Sequence, residues 1–129
     1  MTDAINPNIG LLEKFDIRNL DACADIVADN FVWHFFNPKL PQLQGDYHGL
    51  EELKGFFAKL DAMTNHSLHV SPIGAHAVGD ELVVSQTCNR ITIGGHTIEF
   101  DVVVVWRFVE GKIAEAWDIP SVFQVRIIE

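Results

Sequence analysis

Between Phe100 and Ile119 the chain reads as two strands and the turn that joins them. The first, Phe100-Asp101-Val102-Val103-Val104-Val105-Trp106-Arg107-Phe108, is rich in β-branched and aromatic residues. Gly111 suits a tight turn, and Ile113-Ala114-Glu115-Ala116-Trp117-Asp118-Ile119 follows it. Strands this apolar need a covered face, which commits the chain to a sheet packed against other elements. One carboxylate, Asp118, sits near the end of the second strand. A buried acid is costly unless it is paired, protonated or used, so Asp118 is the first candidate for chemistry.

The period-two reading extends upstream. Residues 66–78, Leu82–Ile93, 97–109 and 112–123 read as strands, with hairpin signals at Gly79-Asp80 and Gly94-Gly95. The first half of the chain has a different rhythm. Leu11, Leu12 and Phe15 fit a helix over 9–15, and Asn19 or Asp21 can cap a short helix with Leu20, Cys23, Ile26 and Val27 on one face. Residues 31–36 read as an aromatic strand, and 37–45, with two prolines and a glycine, as a loop. Gly49–Met63 carries Leu50, Leu53, Phe56, Phe57 and Leu60 at helical spacing. Helices followed by a strand meander predict an α+β fold, with helices packed on a strongly curved antiparallel sheet. The expected shape is a cone-shaped barrel with an internal pocket.

The 129 residues fit one domain, 1–129, and 48% of them are apolar, which argues against disorder. A net charge of −9 argues against nucleic acid and against anionic membrane surfaces as partners. The longest wholly apolar run, Val102 to Trp106, is too short for a membrane span, and residues 1–8 do not read as a signal peptide. Cys23 and Cys88 are expected as reduced thiols, and the expected compartment is the cytoplasm.

Other chemistry finds little support. His66 and His69 are three apart, which places them on opposite faces of a strand, and there is no HExxH motif, so no metal is expected. GxSxG, P-loop and GxGxxG motifs are missing, and Cys88 reads as core, so no cofactor is expected either.

Three segments carry a resemblance: Ala28-Asp29-Asn30-Phe31-Val32-Trp33-His34-Phe35, Gly45-Asp46-Tyr47-His48-Gly49, and Gly111-Lys112-Ile113-Ala114-Glu115-Ala116-Trp117-Asp118. In their order and spacing they resemble the SnoaL-like group of the nuclear transport factor 2-like superfamily, over nearly the whole chain. That superfamily includes ketosteroid isomerases, limonene-type epoxide hydrolases, polyketide cyclases and binding domains without chemistry, so fold leaves function open. The resemblance implies an acid/base role for Asp118, as in SnoaL-like cyclases. Epoxide hydrolases add an arginine and an aspartate two residues apart on the strand Leu82–Ile93, where Thr87 and Asn89 stand here. The polar residues of ketosteroid isomerases fall on Phe35, Val104 and the neighbourhood of Leu11, all apolar, which argues against steroid isomerisation of that type.

Residues and resemblance together predict a pocket lined by Trp33, Phe35, Val104, Trp106 and Asp118, with Tyr47 near its mouth and Asn89 and Gln86 among its few polar groups. Strict alternation sends His34 to the face opposite Trp33 and Phe35, whereas a bulge near Asn37-Pro38 re-aims it into the pocket as a catalytic partner of Asp118. No arginine or lysine is expected inside, and Arg107 is expected outside. The expected ligand is a small, neutral, mostly apolar molecule with one or two oxygens. The expected activity is a cofactor-independent isomerase, cyclase or dehydratase; the alternative is a non-catalytic small-molecule-binding or regulatory domain. An apolar outer sheet face, carrying Val103, Val105 and Ile91 or Ile93, predicts a homodimer packed sheet to sheet.

Overall fold

The computed structural model describes residues 6–128. Its elements run α1 (Pro7–Leu12), a 3₁₀ helix (Leu20–Ile26), β1 (Val27–Phe35), β2 (Gly45–His48), α2 (Gly49–Met63), β3 (His69–Val78), β4 (Leu82–Ile93), β5 (His96–Val109), β6 (Lys112–Pro120) and β7 (Arg126–Ile127). The strand order is β2-β1-β6-β5-β4-β3, with β7 paired to β5. The fold is α+β, a large curved sheet with few helices.

Several points differ from the expectation. The sheet stays open at β2 and β3 and is cone-like rather than a closed barrel. Its pairing is also mixed: β1 runs parallel to β6, while the other pairs are antiparallel. The parallel contact needs a long crossover, and everything from β2 to β5 supplies it. Gly45-Asp46-Tyr47-His48, for which the sequence predicts no strand, is the short edge strand β2 on β1. The predicted strand 112–123 ends at Pro120, and Leu20–Ile26 forms a 3₁₀ rather than an α-helix.

Local chemistry explains the long elements. The β5–β6 turn places Glu110 and Gly111 at φ 51° and 78°, and a two-residue hairpin requires that left-handed pair. Helix α2 opens after His48, whose backbone N–H donates to Glu52 Oε1 at 2.8 Å, while Glu51 and Glu52 suit the positive end of the helix dipole. Leu53 and Phe56 are its buried residues. Phe56 meets Phe35 at 4.9 Å and Tyr47 at 4.8 Å between ring centres, locking α2 onto β1 and β2. Register shifts in β3 near Pro72 and Gly74, and between β5 and β6 at Arg107/Phe108, mark bulges, which bend strands.

Candidate ligand pocket

Sheet register assembles the site. Across the inner face, Trp33 of β1 pairs with Ala116 of β6, which pairs with Trp106 of β5. One step along the strands, Phe35 pairs with Asp118, Asp118 with Val104, and Val104 with Ser85 of β4. Trp33 and Trp106 of the first row and Phe35, Asp118, Val104 and Ser85 of the second line a cavity of about 1050 Å³. The predicted pocket residues Trp33, Phe35, Val104, Trp106 and Asp118 all lie on it, as do Asn89 and Gln86.

Asp118 stands in this cavity with Phe35 and Val104 as its strand neighbours. No hydrogen bond or ion pair holds its carboxyl among the described residues, although its backbone carbonyl accepts from Phe36 N–H at 3.4 Å. It is partly buried and lines the cavity wall. Burial without a partner pushes its pKa up to about 7. An acid half-ionised near neutral pH can both take and return a proton.

His34 does not join it. No bulge separates Trp33 from Phe35, so alternation holds and His34 lies on the outer face beside Trp117. Its Nδ1 bonds Asp46 Oδ1 at 2.7 Å, its Nε2 bonds Glu115 Oε2 at 2.6 Å, and its ring stacks on Trp117 at 5.4 Å. Partial burial pulls its pKa down, but the bonds to Asp46 and Glu115 outweigh that and raise it overall. The expected pairing of His34 with Asp118 is therefore corrected: the sheet lies between them.

Tyr47 is corrected too. It lies off the cavity wall, and its hydroxyl donates to the carbonyl of Leu43. Ile91 and Ile93 line the cavity instead of the outer face, where Val103 and Val105 do lie. Arg107 faces outward as expected, bound to Glu81 and Glu115, and Arg90 faces outward on Glu99. The expectation of no cation at the pocket needs one amendment. Lys39, in the loop after β1, is exposed on the cavity rim with Nζ 5.3 Å from the Phe123 ring centre.

Sequence reasoning missed three polar features of the wall. Trp106 Nε1 donates to Ser85 Oγ at 2.9 Å, and Thr87 Oγ1 donates to Asn89 Oδ1 at 2.8 Å. Trp33 Nε1 is buried without an acceptor. The alternation Ser85, Thr87, Asn89 along β4 was a usable signal, because residues two apart share a strand face. Among the described residues, no group of three or more His, Cys, Asp or Glu side chains is placed to hold a metal ion, and no helix is long and apolar enough to cross a membrane.

An aromatic cavity between helices and a curved, open sheet, with Asp118 on the sheet wall, fits the nuclear transport factor 2-like class of fold. Within that class, this chain belongs to the SnoaL-like domain family, whose model matches residues 10–116. No curated protein matches it. Among solved structures it is similar to TerC co-crystallised with polyporic acid, at 21% identity over 89% of this chain and 92% of that one, TM-score 0.76. It is also similar to an NTF2-like protein of unknown function from Burkholderia pseudomallei K96243, at 22% identity over 88% and 90% of the two chains, TM-score 0.76. A putative SnoaL-like polyketide cyclase from Jannaschia sp. CCS1 superposes with TM-score 0.71, at 14% identity over 89% and 85%. At these identities the likeness concerns fold.

Proposed function

We propose that the cavity binds a small, mostly apolar, carbonyl-bearing molecule and that Asp118 exchanges a proton with it, in an isomerase, cyclase or dehydratase reaction. The observation that carries this reading is the unpartnered Asp118 carboxyl on an apolar wall, with its pKa pushed up to about 7. In its ionised form it accepts a proton from the carbon beside the carbonyl. The electron pair of that C–H bond moves onto the carbonyl oxygen, and the enolate so formed needs a hydrogen-bond donor. His34, on the outer face of the sheet, does not reach the cavity to supply it. Return of the proton from Asp118 to a different atom completes an isomerisation. None of these steps calls for a cofactor.

A second reading has its own support. The positions around Asp118 on the inner face hold Phe35, Val104, Ser85 and Thr87, so no second charged group flanks it. That suits a binding domain that uses burial for affinity, at about 25 cal/mol per Å² of apolar surface. One measurement separates the two. A ketone probe such as 2-tetralone is incubated with the protein in deuterated water, and exchange at its α carbon is followed by NMR. Catalysis predicts exchange above the buffer rate that rises with pH through about 7 and disappears in Asp118→Asn. Tight binding with no added exchange sinks the catalytic reading and leaves the binding domain.

A further inference from the structure

We infer that Thr87 and Asn89 form a second oxygen-binding point in the cavity, apart from Asp118, so that the ligand carries an oxygen at each of two ends. This rests on the cavity being the ligand site, as proposed above. Thr87 and Asn89 lie two residues apart on β4 and both line the cavity. The Thr87 hydroxyl donates to Asn89 Oδ1 at 2.8 Å. That bond engages the acceptor end of the amide and fixes its plane, leaving the N–H donors as the free end. No acceptor among the described residues bonds them. In an apolar chamber, an amide donor without an acceptor is a ready site for a ligand oxygen.

The other two polar residues that β4 brings to the cavity behave differently. Gln86 is exposed and pairs with Val103 of the outer face. Ser85 Oγ accepts from Trp106 Nε1 at 2.9 Å and lies 3.5 Å from the Val104 carbonyl, so it is committed to the protein. Asn89 is thus the open donor of β4, and Thr87 is the residue that positions it.

Register sets the spacing between the two points. Asp118 pairs with Val104 and Val104 with Ser85, which separates Asp118 from β4 by two strand spacings, about 10 Å. Asn89 lies four residues past Ser85, about 14 Å further along an extended strand, before curvature shortens the path. The β5 wall between them presents Val104, Val102 and Phe100. The two displacements combine to about 17 Å between backbone positions, which side chains reaching inward and the curvature of the sheet shorten, so the matching ligand has two oxygens separated by an apolar span on the order of 10 Å, the length of a substituted bicyclic ring. Its end at Asn89 is a hydrogen-bond acceptor such as a carbonyl, ether or phenol oxygen; an ammonium there would meet N–H donors.

The test titrates the protein at pH 6 with naphthalene, 2-acetylnaphthalene and 6-acetyl-2-naphthol, which carry zero, one and two oxygens on one ring system. The two-oxygen probe is expected to bind more tightly than the one-oxygen probe. Asn89→Leu is expected to weaken the two-oxygen probe about three- to tenfold, the worth of one hydrogen bond, and to leave naphthalene unchanged. Thr87→Val is expected to give a smaller loss of the same selectivity, restored by Thr87→Ser. If Asn89→Leu leaves the two-oxygen probe unaffected, or weakens all three equally, the inference is overturned. If wild-type protein binds naphthalene but gains nothing from added oxygens, the inference fails and the cavity reading survives. If no probe binds at all, the cavity reading fails first and takes the inference with it.

Discussion

At the scale of the residue, two titratable groups on opposite faces of one sheet give stability a pH dependence of the same sign. Asp118 has a folded pKa raised to about 7, well above that of a free aspartate. The folded state therefore holds its proton more tightly than the unfolded state. Its stabilisation is complete below about pH 4 and is lost as pH rises through about 7. The full effect is at most roughly 4 kcal/mol. Asp118→Asn is expected to flatten that decline, gaining stability above pH 7 in urea melts. His34 is also raised, so its clamp on Asp46 and Glu115 is present below about pH 6.5 and is lost above its own folded pKa. His34→Gln is expected to cost about 1 kcal/mol at pH 6 and less at higher pH. A cost in His34→Gln that grows with pH would refute the clamp.

At the scale of the element, α2 covers the core and β6 is the strand that carries Asp118. Phe56 is only 1% exposed and touches Phe35, which pairs directly with Asp118. Phe56→Ala is expected to cost about 3–5 kcal/mol, seen as a lower urea midpoint, because the cavity left behind cannot be refilled by a rigid helix–sheet contact. Strand β6 is held on both faces. Inside, Ala116 is fully buried between Trp33 and Trp106; outside, Glu115 and Trp117 meet His34 and Arg107. Helix α2 and strand β4 were legible to the residue, because amphipathic spacing and glycine turns mark both. Strand β2 was not: four residues between a loop and a glycine carry no periodicity, and only pairing with β1 makes them a strand.

At the scale of the whole molecule, the outer face of the sheet raises the question of assembly. Val103 and Ile119 are 37% and 47% exposed on adjacent strands, with Val105 and Trp117 beside them. Around this apolar strip run Asp46, His34, Glu115, Arg107 and Glu81 in alternating charge. A face with an apolar centre and a rim of both signs is self-complementary under a two-fold axis, so a homodimer is the expected state. Light scattering is expected to give twice the chain mass, and Val103→Lys with Ile119→Lys to give the chain mass. A wild-type protein that remains monomeric at micromolar concentration would refute this.

The sequence by itself determined the α+β class, the strand meander, the aromatic inner rows and Asp118 as the exceptional acid, because these depend on local period and on the cost of burying charge. Tertiary structure alone decided the rest. Which partner stands across from a residue is a matter of register between strands distant in sequence: β1 with β6 put His34 behind the sheet, and β4 with β5 turned Ile91 and Ile93 inward. A one-residue slip would reverse each of those placements, and no local pattern in a single strand encodes its pairing offset.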